Sequence, residues 1–256
     1  MNVSFLSYIG VTGIMHRYEA ESLLGIMPDN NCRKLMLGVL VSDKTLHLGR
    51  NNHPNSHPQT ANIADIFPDD PRALNFIHYY AENDRTLADD LFRLAGLGGG
   101  HLHGFQLNMP WPNARAIEQY RAWFPEHHIV LQIRTDAMRI AIRSPQEIAA
   151  RIVPYQHLVN TVLLDASGGY GKSLSVESAY PILAALLIKF PHIGRAVAGG
   201  LCAKTLPDIR PLVRDHPDLS FDAQGRLRKP DGTLDLQASA EYLVKGLEIC
   251  GIPAAA

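Results

Sequence analysis

Apolar and polar positions follow two alternating rhythms along the chain. Short runs rich in β-branched and large apolar residues occupy positions 3–11, 35–41, 74–81, 101–107, 129–134, 159–165, 194–198 and 219–222. Between them, at 18–26, 86–94, 113–123, from 144 onward, 176–190, 206–213 and 236–249, the pattern is amphipathic. The first kind predicts strands and the second predicts helices. Helix-start chemistry agrees. Ser144 precedes Pro145, a capping hydroxyl before a proline at the first helical position, and Thr86 stands three residues before Asp89.

Eight strand–helix units in 256 residues predict a closed (β/α)8 barrel, with 1–256 as a single domain. Strands this apolar suit a parallel sheet covered on both faces. A doubly wound open sheet would carry a glycine fingerprint for nucleotide after an early strand, and the chain has none. The rhythm breaks between 48 and 72, where Pro54, Pro58, Pro68 and Pro71 alternate with asparagines, serine and histidines. That stretch predicts an enlarged loop after strand two, on the carboxyl face of the barrel, with a short helix near 63–67.

Composition removes several function classes. With 24 Lys+Arg against 25 Asp+Glu and a formal charge of −1, no basic field exists to draw in nucleic acid or a membrane surface. No run reaches membrane-spanning length, and the first residues lack the pattern of an export signal. Cys32, Cys202 and Cys250 are odd in number, far apart and form no Cys-x-x-Cys. The expectation is a cytoplasmic monomer or homodimer with no cofactor, no structural metal, and no nucleic-acid or membrane partner.

In such a barrel the reacting groups sit at the carboxyl ends of the strands. Asp165 ends the sixth strand and is followed by Gly168, Gly169, Gly171 and Lys172; Gly199 and Gly200 end the seventh. Glycine turns let backbone N–H groups approach an anion, so this pair of turns predicts a phosphate pocket for a phosphorylated small molecule. His101 and His103, followed by Gly104, share one strand face, but no nearby carboxylate completes a metal set. One inward histidine, His103, is therefore expected to bond a substrate or a backbone carbonyl. Asp136 after the fifth strand and Asp222 at the end of the eighth are candidate partners for Asp165.

The order His103-Gly104, Leu163-Leu164-Asp165 with Gly168-Gly169-x-Gly171-Lys172, Ala198-Gly199-Gly200-Leu201, and Asp222 before Gly232-Thr233-Leu234-Asp235 resembles the phosphoribosylanthranilate isomerase family. The resemblance spans nearly the whole chain, including a Gly10-Val11-Thr12 turn after strand one and the strand carrying Gly38. It implies a (β/α)8 isomerase of aldose–ketose type, with Asp165 as the acid that protonates a ribose ring oxygen. It also implies phosphate held at Gly168, Gly169, Gly171, Gly199 and Gly200.

The chain departs from the family's pattern in three places. Ile9, before Gly10, stands where the family keeps a cysteine base, and an alkyl group takes no proton. His47, with Lys44 close by, replaces the arginine that holds a carboxylate after strand two. Gln224-Gly225-Arg226 replaces Ser-Ser-Gly after strand eight, leaving Gly225 for the phosphate and Arg226 as an added charge on the substrate. These departures predict a different phosphorylated ribose-like substrate, no conversion of phosphoribosylanthranilate, and a new base among Asp136, Asp222 and His103. Two other readings stay open: hydrolysis or cleavage of a ribosyl bond by a carboxylate pair, and a binding protein that keeps the phosphate site without chemistry. Schiff-base catalysis is disfavoured, because no predicted strand holds an interior lysine.

Overall fold

The computed structural model describes residues 5–29, 32–49, 53–133, 144–165 and 175–255. Its strands are β1 (Tyr8–Thr12), β2 (Lys34–Ser42), β3 (Ala73–Tyr80), β4 (Gly104–Asn108), β5 (His128–Ile133), β6 (Thr161–Asp165), β7 (Gly194–Ala198) and β8 (Ser220–Ala223). Each pairs in parallel with the next, and β8 returns to β1, so the sheet closes into the barrel that the sequence predicts. Around it lie α1 (Arg17–Leu24), α2 (Asp43–Leu48), α3 (Ile63–Ile66), α4 (Leu87–Gly98), α5 (Ala114–Trp123), α6 (Pro145–Ile152), α7 (Val176–Lys189), α8 (Arg210–Asp215) and α9 (Leu236–Ile249).

Local chemistry explains where helices start. The Ser144 hydroxyl accepts from the Glu147 amide with Pro145 in the first turn, as predicted, and Asp235 caps α9 through the Ala238 amide. Thr86 stands at the start of α4, but its hydroxyl donates to the Asp90 carboxylate at 2.8 Å instead of capping the helix.

Strand alternation separates two apolar clusters. Tyr8, Met36, Leu74, Phe76, Val130, Leu163, Ala196 and Ala198 fill the inside of the barrel. The larger cluster lies between barrel and helices and contains Ile9, Val11, Ile129, Leu131 and Val197. Inward residues thus fall at every second position, and polar ones succeed apolar ones toward the carboxyl ends.

Three expectations about register are corrected. Gly10 to Thr12 lie within β1 and are not a turn after it, and Ile9 faces outward. A Cβ at Gly246 of α9 would lie 3.3 Å from Ile9, so the missing side chain there is what admits it. Ile9 consequently cannot hold a catalytic place inside the barrel; the inward residue ending β1 is Thr12, followed by Gly13. The third correction concerns β4, which begins at Gly104. Residues 99–101 form a helical turn, and His103 precedes the strand, at the amino end of the barrel. There its Nδ1 accepts from the Asn75 amide at 3.0 Å.

The enlarged segment after strand two lies on the carboxyl face. It follows α2, which the sequence reading missed, and the expected short helix is α3. Asn55 donates to the Asp231 carbonyl at 2.8 Å, tying the segment to the loop after β8.

Candidate functional site

At the carboxyl end, the barrel interior changes from apolar to polar in a single layer. Thr12, His78, Gln106, Gln132, Asp165 and Asp222 come from β1, β3, β4, β5, β6 and β8, and all are buried. A cavity of about 70 Å³ opens above them, lined by His78, Gln106, Asn108, Gln132, Asp165 and Asp222 on one side. Ala198, Gly199, Gly200, Leu201 and the residues 223–226 line the other side.

The two carboxylates are linked through amides. Gln132 Nε2 donates to Asp165 Oδ2 at 2.8 Å, and Gln132 Oε1 accepts from Gln106 Nε2 at 3.2 Å. Gln106 Nε2 also faces Asp222 Oδ2 at 3.5 Å and His78 Nδ1 at 3.4 Å. Thr12 donates to Asp222, 3.0 and 3.1 Å from its two oxygens. Gly10 and Gly38 make room for this last pair. A Cβ at Gly10 would lie 2.7 Å from Asp222 Oδ1, and one at Gly38 only 2.5 Å from Thr12 Oγ1.

Burial raises the Asp222 carboxyl to about 7, with a further push from the Asp165 charge, against the hydrogen bonds from Thr12 and Gln106. Such a group changes protonation near neutrality, which is what general acid–base work requires. Burial acts oppositely on His78 and lowers it to about 4, so its imidazole is neutral.

Of the predicted site residues, the fold brings Asp165, Asp222, Gly199, Gly200, Gly225 and Arg226 around one cavity. Gly199 and Gly200 have positive φ, 120° and 61°, the turn that glycine allows and other residues resist. Lys44 and His47 do not line the cavity. Lys44 pairs with Glu82 at 2.7 Å in solvent, and His47 Nε2 meets the buried Asp90 at 2.7 Å on α4. His103 is at the opposite end of the barrel. Asp136, Gly168, Gly169, Gly171 and Lys172 lie outside the described residues. Among the described residues, no three His, Cys, Asp or Glu side chains converge as a metal site would need. No described helix is long and apolar enough to cross a membrane.

Sequence reading missed Thr12, His78, Gln106 and Gln132. A signal for them existed: in Leu74-x-Phe76-x-His78, Gly104-x-Gln106 and Val130-x-Gln132 a polar residue takes the inward phase of an otherwise apolar strand.

No protein-family profile matches the chain, and no curated protein matches it. Solved structures do. Phosphoribosyl anthranilate isomerase from Thermus thermophilus superposes with a TM-score of 0.65 at 12% identity, covering 95% of this chain and 100% of that one. The isomerase from Thermococcus kodakaraensis gives 0.61 at 13% identity, with 94% and 99% covered. A rubisco-like protein from Alicyclobacillus acidocaldarius gives 0.54 at 12%, with 98% of this chain and 63% of that one covered. At these identities the likeness establishes the architecture, a (β/α)8 barrel of the kind those isomerases share.

Proposed function

We propose that this protein is an enzyme acting on a phosphorylated, ribose-like small molecule, by an intramolecular isomerisation of aldose–ketose type. The observation that carries the reading is the convergence of Asp165 and Asp222, bridged by Gln132 and Gln106, in a cavity whose other wall is Gly199, Gly200, Gly225 and Arg226. Phosphate rests against the glycine turns and Arg226, which leaves the sugar carbons over the carboxylates. Asp222, protonated below about 7, gives its proton to the ring oxygen while the charged Asp165 takes the proton of the C1 hydroxyl, opening the furanose. Asp222, now a carboxylate, takes the C2 proton and leaves an enediolate; the O2 hydroxyl proton passes to O1, and Asp222 returns its proton to C1 as the ketone forms at C2. A group near 7 performs both transfers at neutral pH.

Asp222 here takes the base's place that the family gives to cysteine. Thr12, not Ile9, ends β1 before a glycine, and its hydroxyl is committed to Asp222. Among the described residues, no cysteine and no arginine from the segment after β2 lines the cavity, and this reading expects no conversion of phosphoribosylanthranilate.

The test is proton exchange in deuterated buffer with D-ribose 5-phosphate and related aldose phosphates, followed by proton NMR. Deuterium entering at the carbon next to the carbonyl, lost in Asp222→Asn and Asp165→Asn, supports the reading. Binding without exchange across the panel would leave a phosphate-binding protein, and release of free base from a nucleotide would favour ribosyl cleavage.

A further inference from the structure

His78 has no role in the proton transfers above, yet it is buried, lines the cavity, and its Nε2 has no hydrogen-bond partner among the described residues. A buried nitrogen left without a partner calls for an explanation. The neighbouring amide fixes what that nitrogen carries. Gln106 Nε2 faces the Asp222 carboxylate and the Gln132 carbonyl oxygen, so the NH2 group of Gln106 points this way and can only donate. Its two hydrogens are shared among three acceptors, and at 3.4 Å an N–H on the facing Nδ1 of His78 would meet another N–H, so Nδ1 carries the lone pair. A neutral imidazole with its lone pair on Nδ1 carries its proton on Nε2. The remaining side of the Gln106 amide, Oε1, is also buried without a partner.

His78 and Gln106 both line the cavity, and among the described residues each keeps one buried polar atom unpaired: a donor, His78 Nε2–H, and an acceptor, Gln106 Oε1. We infer that they form the recognition site for an α-hydroxy carbonyl group, His78 donating to the carbonyl oxygen and Gln106 accepting from the neighbouring hydroxyl. The inference rests on the proposed isomerisation and names the functional group it acts on. When the C2 proton leaves, negative charge gathers on the oxygen that His78 touches, and its hydrogen bond strengthens as the enediolate forms. No proton need leave Nε2. A neutral imidazole stays a donor throughout, whereas an imidazolium would bind any anion without discriminating the enediolate. Burial keeps it neutral, opposed by Gln132 and aided by the proximity of His57.

Two measurements test this on the intact protein. In proton–nitrogen correlation spectra at pH 7, the ring of His78 should show a protonated Nε2 and a bare Nδ1; the opposite tautomer would overturn the assignment. In the second, calorimetry compares 4-phospho-D-erythronohydroxamate, which imitates an enediolate, with D-ribitol 5-phosphate, which has no carbonyl. The wild type should prefer the hydroxamate by about tenfold or more, one charge-assisted hydrogen bond. His78→Leu and His78→Met should erase that preference, the hydroxamate losing more affinity than ribitol 5-phosphate. Equal affinity for both ligands in the wild type would overturn the role of His78 alone. Failure of both ligands to bind would remove the sugar-phosphate reading itself, and this inference with it.

Discussion

Asp222 is the residue on which the proposed chemistry and the stability of the site turn in opposite directions. It is fully enclosed, beside another carboxylate, and held by Thr12 and Gln106. Its folded-state value of about 7 lies above the ordinary 3.8, so the folded protein binds its proton more tightly than the unfolded chain does. Stability from this group is therefore full below pH 3.8, falls as pH rises through the interval to 7, and stays low above it. At about 1.4 kcal/mol per unit the upper bound is about 4 kcal/mol. Asp222→Asn should remove turnover and flatten the decline, making the variant relatively more stable at pH 8 than at pH 4 in urea unfolding. A second residue-scale prediction concerns Gly38. The Cβ of Gly38→Ala would meet Thr12 Oγ1 at 2.5 Å. The hydroxyl must swing off Asp222, at a cost of about 1–3 kcal/mol for overpacking. Thermal unfolding reads that cost; Gly49→Ala, where no atom lies within 4 Å, controls only for crowding, because Gly49 has a φ of 60°.

Among the elements, β4 and β5 show how a register decides a residue's task. His103, His127 and His128 cluster where those strands begin, and burial lowers all three, the last two to about 4. His103 accepts from the Asn75 amide, and the hydroxyl of Tyr120 on α5 meets His127 Nδ1 at 2.6 Å. Phe124 stacks on His127 with 5.0 Å between ring centroids, and Phe76 lies 6.4 Å from His128. The neutral forms fit this packing, so their stabilisation is present above the ordinary value of 6.5 and drains away as pH falls toward 4. Replacing His127 and His128 together by Gln should reduce the loss of stability between pH 6.5 and 4. Unfolding midpoints across that range measure it, and an unchanged slope would mean the cluster is not the cause.

For the whole molecule, the decisive contact is the seam where the last strand meets the first. Ser7 Oγ donates to the Asp218 carbonyl, and the Tyr8 amide to Ser220 Oγ. Beneath them Arg33 is buried and donates to the carbonyls of Leu219, at 2.7 Å, and Pro217. It fastens the entry of β2 to the chain just before β8. Without this closure Thr12 and Asp222 would not meet, nor would β8 bring Gly225 and Arg226 to the cavity. Arg33→Met keeps much of the aliphatic bulk and leaves buried carbonyls unsatisfied, so it should cost about 2–4 kcal/mol. Chemical denaturation gives that number. The proposed phosphate site depends on the same closure, and Gly200→Asp, setting a negative side chain at a φ of 61°, should abolish affinity for inorganic phosphate in calorimetry.

The alternation of periods two and 3.6 was enough to place the strands and helices, because each face of a strand or helix must be either buried or wet. From it came the barrel, and with the barrel the carboxyl-end positions of Asp165 and Asp222. Glycines at 199 and 200 were legible for the same reason, since their backbone conformation excludes other side chains. Phase was not legible where glycine-rich or short strands blur their ends. One residue of slip exchanges inside for outside, which is why Ile9 was read as facing the site in place of Thr12. A strand start displaced to Gly104 moved His103 to the far end of the barrel. His47 was near its expected loop in sequence, but the partner that claims it, Asp90, lies on another helix. The bridge of Gln132, Gln106 and Asp222 and the empty Nε2 of His78 depend on four strands meeting around one axis. Local sequence sets what each strand can be; only closure of the ring decides which side chains share the water-poor space where a carboxyl rises to about 7.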